Sequence, residues 1–515
     1  MSSGCTGRDI PGGAILSMVS GIVFVVCLLV VAPLDSLARE NTLTVGLSTA
    51  FDYDHPKYDS VDAGTAGTEG EEENENVDTG EDDAAFLVFK PFARILSKSS
   101  DGQLEFRTAP GIKYDLIDSE PDWDLEAFLA AAQSINRWWK MSASDTLLRS
   151  DRHFIRAGAV PSEPEVSGPD VSEQVDTANG EQPELSADRG RSRYWLNDFK
   201  LVSEHPYGKD SQLQAGFTYR VLRNDESEVL SYEDYDRYEM SVKNGHRFTS
   251  AWKTGAEAIF VRGTFDDVSA DSRAGEDSAT LTGEDELSED LWEYRATAAI
   301  ENNSFRHHTP AIEYSYIGAR YDATEQEDSD IHEMQFSWRY EYSRHLAAKL
   351  GAGPSYEKTE GQDANWGGNG IAQFDYLFRN GTASLAFEKG FDVDNFSGAN
   401  ERGTVDFWTI RFGVSYLPLD SLSCSVNLAY RQEERTEPSE AVNPREDLDN
   451  TDDGPVESEE DQYSAGFGLR YAISTTSSTG INYTYIREDS DDDGEDYQDH
   501  RVVVSYSWQN EWLRW

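Results

Sequence analysis

The chain has 515 residues, and 97 acidic against 44 basic side chains leave a formal charge of −53. That charge sets it against nucleic acid and anionic lipid, because like charges repel over roughly 8 Å of screening at physiological salt. Its 25 tyrosines, 23 phenylalanines and 12 tryptophans also exclude a disordered chain, whose mark is few aromatics, so the fold must keep acid and aromatic apart.

Residues 14–32 (AILSMVSGIVFVVCLLVVA) form an uncharged apolar run behind a short polar start that contains Arg8. Ser36 and Ala38 supply small residues at −3 and −1 of a cut after Ala38, the pattern of a cleaved secretory signal over residues 1–38. A retained membrane helix is the competing expectation, since about 17 to 25 apolar residues span a bilayer. With Cys5 and Cys27 removed, the mature chain 39–515 keeps Cys424 alone and has no internal disulfide to stabilise it.

Beyond the signal, segment after segment alternates with period two, which only a strand converts into two distinct faces. In chain order the expected strands are 42–53, 85–95, 103–115, 124–134, 138–150, 193–204, 211–222, 235–243, 247–262 and 290–301. They continue with 308–321, 331–342, 346–358, 367–379, 381–391, 403–416, 421–432, 461–472, 478–488 and 498–508. In 211–221, Leu213, Ala215, Phe217, Tyr219 and Val221 oppose Gln212, Gln214, Gly216, Thr218 and Arg220. In 331–342, Met334, Phe336, Trp338, Tyr340 and Tyr342 oppose Gln335, Ser337, Arg339 and Glu341. The stretch 124–140 (DLEAFLAAAQSINRWWK) also suits an amphipathic helix, which would reduce twenty strands to eighteen.

The connections alternate in length. Tight turns are expected at Ile135-Asn136-Arg137, Asn244-Gly245-His246, Asn303-Ser304, Ser343-Arg344-His345, Asn380 and Pro418-Leu419-Asp420. Between them fall long acidic segments, among them 54–84, 151–190, 263–289 and 433–460. This rhythm over an even number of antiparallel strands predicts a closed all-β transmembrane barrel of 18 to 20 strands, with short periplasmic turns and long acidic external loops. A soluble sandwich also alternates, but nothing in it sorts loops by parity. In lipid every backbone polar group must be paired, so a strand-built span has to close. Aromatics then face lipid, and most of the excess acid sits in solvated loops.

Most of residues 40–515 resembles a known family, the beta-barrel porins of the second type, associated in many bacteria with exopolysaccharide gene clusters. The resemblance rests on the hairpins WWKMSASDTLLRSDRHF (138–154), RSRYWLNDFKLVSEHPYGKDSQLQAGFTYR (191–220) and YEDYDRYEMSVKNGHRFTSAWKTGAEAIF (232–260), and on the terminal Trp515. It implies residence in a bacterial outer membrane, contact with lipid and lipopolysaccharide, insertion by barrel-assembly machinery, and polysaccharide and periplasmic export components as partners. One departure stands out. Gln509 and Glu511 occupy places where apolar residues usually lead up to the terminal aromatic, so the last strand either bulges or stops near Trp508.

By parity, Arg220, Glu293, Arg295, Glu313, Arg339, Glu341, Asp375, Glu388 and Arg411 face the lumen. They either neutralise one another as cross-strand pairs or form a mixed-charge wall that selects what passes. Asp449, Thr451, Asp453 and Glu460 stand at positions 1, 3, 5 and 12 of a calcium-loop spacing, with Gly454 at 6, although Thr451 replaces the usual Asp or Asn. Loosely held calcium at the acidic loops is the only cofactor expectation. His307 and His308 form the one adjacent histidine pair, beside a turn, and no HExxH, GxSxG or Walker pattern occurs. The expected function is passage of a polar solute, with exopolysaccharide implied by the resemblance, and no catalysis. The alternative is a structural or adhesive surface barrel that displays acidic cation-binding loops.

Overall fold

The structure, a computed structural model, describes residues 40–58, 83–117, 119, 121–150, 193–224, 234–265, 290–322, 327–362, 364–396, 403–437, 456–491 and 497–515. The expected cut after Ala38 lies outside the described residues. Twenty strands follow one another: β1 (Glu40–Tyr58), β2 (Ala84–Lys98), β3 (Gly102–Asp115), β4 (Pro121–Asn136), β5 (Trp139–Ser150), β6 (Tyr194–Gly208) and β7 (Ser211–Asn224). Then come β8 (Tyr235–Arg247), β9 (Trp252–Phe265), β10 (Leu291–Asn302), β11 (His308–Tyr321), β12 (Ser329–Ser343), β13 (Leu346–Thr359) and β14 (Asn365–Phe378). The last six are β15 (Gly381–Asp394), β16 (Gly403–Leu419), β17 (Leu422–Glu437), β18 (Val456–Ala472), β19 (Ser477–Ser490) and β20 (Tyr497–Arg514). Each pairs antiparallel with its neighbour along the chain, and β20 returns to β1 from Thr42↔Arg514 to Tyr58↔Tyr497. The sheet therefore closes on itself as a barrel, the one way a sheet can pair its backbone in hydrocarbon.

Connections at the end that holds Glu40 and Trp515 run two to five residues, as at 137–138, 344–345 and 420–421. Those at the other end include 59–83, 151–193, 266–290 and 438–455.

Antiparallel partners share a face, so register carries one set of side chains round the whole barrel. Phe336 lies opposite Ile312 and Ala352, and Ile312 opposite Ile300. Cross-barrel contacts show which face is inside: Asn395, just past β15, reaches Glu293 on β10 and Tyr321 on β11, a path open only through the interior. Glu293 and Tyr321 belong to the face opposite Phe336, so Phe336, 51 % exposed, points out. The outer face is apolar along its middle, with Ile300, Ile312, Leu350, Leu385 and Val504 all exposed. Trp338, Tyr342, Tyr376 and Trp508 ring it near the turns, and Trp123, Tyr238 and Trp366 ring it near the long connections. Two aromatic girdles about an apolar band are the surface of a membrane-spanning barrel. No helix among the described residues is long and apolar enough to cross a membrane.

The stretch 124–140 is strand, not helix. Leu125, Leu129 and Ala131 share the outer face while Glu126 turns inward to Lys90, a two-residue period that outweighs the alanine content. Three expected turns move. Ile135 and Asn136 belong to β4, and the reversal falls at 137–138. Asn244 and Gly245 lie inside β8, paired with Leu213 and Gln212 on one side and with Ala256 and Gly255 on the other, and the chain reverses at 248–251. Pro418 and Leu419 belong to β16, whose register shifts against β17 between Tyr416 and Leu419, and the reversal falls at 420–421. The last strand runs on to Arg514 by means of a bulge. Leu43 faces Leu513 and Thr44 faces Glu511, which leaves Trp512 as the extra residue. Gln509 and Glu511 continue the inward alternation of Ser505 and Ser507, and the shift beyond them returns Leu513 to the outer face with Leu43.

Candidate solute passage

The inner wall is built from cross-strand ion pairs. Lys113 reaches Asp124 at 2.7 Å, Lys90 reaches Glu126 at 2.9 Å, and Arg94 reaches Glu105 at 2.6 Å. The Arg501 guanidinium grips Asp52 across the closing pair of strands. At the mouth, outside the strands, the Asp83 carboxyl is held below its ordinary range, chiefly by its hydrogen bond with His55, with Tyr53 donating another at 3.2 Å.

One hairpin leaves this wall. β14 and β15 pair from Phe378↔Gly381 up to Gly370↔Lys389, where their ladder stops. Both continue on their other sides, β14 against β13 to Asn365 and β15 against β16 to the pair Asp394↔Gly403. Above Lys389 β15 therefore turns inward across the inner face of β14, its tip reaching β8, while β16 beside it stays laddered to β17 as far as Val405↔Arg435. Phe391 and Val393 pack in a buried cluster with Ala319 and Ile331. The Phe391 amide donates to Glu333 Oε1 at 3.3 Å. Burial of each such apolar side chain is worth roughly 1.5–3 kcal/mol, enough to hold the hairpin against the wall.

At the tip, Asn395 Nδ2 donates to Glu293 Oε2 at 3.1 Å, and the Tyr321 hydroxyl donates to Asn395 Oδ1 at 2.5 Å. Arg295 bridges Glu293 and Asp392, the latter at 3.1 Å. Phe396 stacks on Phe265 and meets Tyr235 edge-on, with ring centroids 5.6 and 5.2 Å away, under the Arg237 guanidinium at 4.8 Å. Three glycines leave room for this seat. A Cβ at Gly367 would meet the Phe391 ring at 2.8 Å, one at Gly263 the Phe396 ring at 3.0 Å, and one at Gly390 the Glu333 carboxylate at 3.0 Å.

All nine charged residues expected in the lumen lie on the inner face. Glu293 and Arg295 meet at the hairpin tip. Glu388 and Arg411 pair at 3.0 Å below it, and Arg220 pairs with Asp198 at 2.6 Å. Glu313, Arg339 and Glu341 make no ion pair with a described residue, and Asp375 accepts from Gln373 at 2.9 Å. Of the calcium spacing, Asp449, Thr451 and Asp453 lie outside the described residues. Glu460 sits in β18, not in a loop, because β18 begins at Val456 and turns Glu460 inward beside Arg435 at 3.8 Å. No group of three or more metal-ligating side chains occurs among the described residues.

Phe391, Val393, Asn395, Phe396, Glu333 and Tyr321 were not among the sequence candidates. Two signals mark them: the run Gly367-Gly368-Asn369-Gly370 inside a strand, which indicates close approach by another backbone, and the apolar residues of FDVDNF (391–396) continuing past a lipid-facing length.

No family model matches the chain, and no curated protein matches it. Among solved structures it is similar to the siderophore receptor PirA of Pseudomonas aeruginosa, with 9 % identity and a TM-score of 0.44 over 90 % of this chain and 80 % of that one. It is similar to the FrpB iron transporter of Neisseria meningitidis, with 7 % identity and a TM-score of 0.47 over 91 % and 82 %. OpdQ of Pseudomonas aeruginosa gives 10 % identity and a TM-score of 0.35 over 91 % and 98 %. These values decide nothing about cargo. The girdled surface, the closure and the sorted connections are the chain's own, and they make it a closed membrane-spanning β-barrel of the outer-membrane type.

Proposed function

We propose that the chain is a passage for a polar solute across a bacterial outer membrane, narrowed by the inward β15–β16 hairpin. The observation that carries this is the division of faces: an apolar outer surface against an inner wall of paired charges, with a hairpin anchored across it. Lys113 and Asp124 are almost wholly buried in that wall, and their pairing offsets the cost of removing both from water. Passage is noncovalent, and the wall selects by charge and by the width left beside the hairpin. Exopolysaccharide is the cargo proposed, on the resemblance of the hairpins at 138–154, 191–220 and 232–260. A mixed-charge wall suits a hydroxyl- and carboxylate-bearing chain, which exchanges hydrogen bonds with it at each step.

Purified protein in planar bilayers tests this reading. A steady current at fixed voltage, blocked by alginate more strongly than by dextran of equal length, is the expected result. A closed trace from well-inserted protein, with calcium-dependent clumping of cells that carry it, would assign the barrel to adhesive display instead.

A further inference from the structure

We propose that the upper β15–β16 hairpin has two positions: the docked one described above, and one in which β15 zips against the free upper edge of β14 and the passage widens. This rests on the proposed passage and adds its regulation. The first ground is the interrupted ladder. β14 presents Asn365 to Asn369 on the side where β15 is missing, while the same residues pair normally with β13. An unpaired edge at the rim is a template for any strand that continues the register, and the nearest such strand is the one that left it.

The second ground is that the sequence fits both positions. Extending Gly370↔Lys389 by one residue at a time places Gly390 opposite Asn369, Phe391 opposite Gly368, Asp392 opposite Gly367 and Val393 opposite Trp366. Phe391 and Val393 then fall on the outer face, beside Trp366, and Asp392 on the inner face, the alternation of every other lipid-facing strand. In the docked position the same Phe391 and Val393 face Ala319 and Ile331 instead. A segment that merely lines a channel needs no lipid-facing parity.

The third ground is that the docked seat is assembled from separable contacts: Asn395 with Glu293 and Tyr321, Arg295 with Asp392, Phe396 with Tyr235 and Phe265, and Thr404 with Glu357. Below the parting point the barrel stays closed through Gly370↔Lys389, and β16 stays laddered to β17 up to Val405↔Arg435, so the part that moves is β15 above Lys389 with Gly403 and Thr404, and the membrane-spanning wall stays shut. A two-state element of this kind is what a gate requires.

The experiment is a cysteine pair, Trp366→Cys with Val393→Cys, in a chain carrying Cys424→Ser and reconstituted in bilayers. In the docked position these residues lie on opposite sides of the wall, Trp366 71 % exposed outside and Val393 3 % exposed inside. In the zipped position they are directly opposed, within disulfide reach. Mild oxidation should give a linked peptide, identified by mass spectrometry, together with a larger conductance that dithiothreitol reverses. Adding Asn395→Ala and Phe396→Ala should speed linkage severalfold. Steady current with no linkage in either background, in protein that still shifts mobility on boiling, would overturn the two-position hairpin and leave the passage standing. Absence of current with linkage intact would instead overturn the passage.

Discussion

Asn395 and Glu293 are joined at 3.1 Å although their strands stand five apart around the barrel, so a single hydrogen bond marks how far the hairpin reaches across the interior. Glu293 also holds Arg295, and it is 2 % exposed. Replacing it with alanine removes the acceptor for two donors at once. Glu293→Ala should therefore lower unfolding stability by about 3 kcal/mol, as broken buried pairs do. Glu293→Gln should cost less, because the amide oxygen still accepts from Asn395. Urea titration of the folded barrel in detergent checks both.

The glycine seat gives a paired prediction. A Cβ at Gly367 would stand 2.8 Å from the Phe391 ring, whereas one at Gly368 would meet only the Gly353 carbonyl at 3.6 Å, an ordinary contact. Gly367→Ala should displace the hairpin, at a cost of about 1–3 kcal/mol from overpacking, and raise conductance. Gly368→Ala should leave both unchanged. Single-channel recording and urea midpoints on the two variants decide it.

A carboxylate on the outer face gives a prediction of opposite signs. Asp145 shares that face with Leu129 and Phe199, its register partners, and is 7 % exposed, with Asn197 Nδ2 donating to it at 2.8 Å. A carboxylate facing hydrocarbon costs stability even when bonded. Asp145→Leu should stabilise the barrel by about 1 kcal/mol. Asn197→Leu should destabilise it by roughly 1–3 kcal/mol, since it takes a bond from a buried charged group. Equal signs in the urea midpoints would contradict the outward assignment of β5.

The bulge at Trp512 predicts a tolerated deletion. Removing Trp512 lets β20 continue against β1 without a shift, and Leu513 still meets Leu43. The deletion should assemble and keep its heat-modifiable gel mobility, whereas deleting Tyr506, inside an unbroken ladder, should reverse the faces beyond it and abolish that mobility.

The barrel was legible because membrane closure leaves its mark on every strand: Phe336 and Ser337 differ in kind because one meets lipid and the other the lumen. The strand at 124–136 was harder, since alanines satisfy helix and strand alike and only Glu126, held by Lys90 from across β3, fixes the period. Asn244-Gly245 misled because a turn-forming dipeptide yields to ladders on both sides. The inward hairpin was out of reach for a different reason. Its parity is that of a wall strand, and nothing local to Phe391 records that Ile331, sixty residues earlier, has a buried surface waiting for it.

The central claim is that two chemically distinct faces alternate along each strand, one in lipid and one in a water-filled interior. Single cysteines along β12 in the Cys424→Ser chain, treated with a charged, membrane-impermeant thiol reagent in intact bilayers, test it most directly. Gln335→Cys, Ser337→Cys and Arg339→Cys should react, and Met334→Cys, Phe336→Cys and Trp338→Cys should stay largely unmodified. Uniform reactivity, or reaction at the even positions in place of the odd ones, would contradict it.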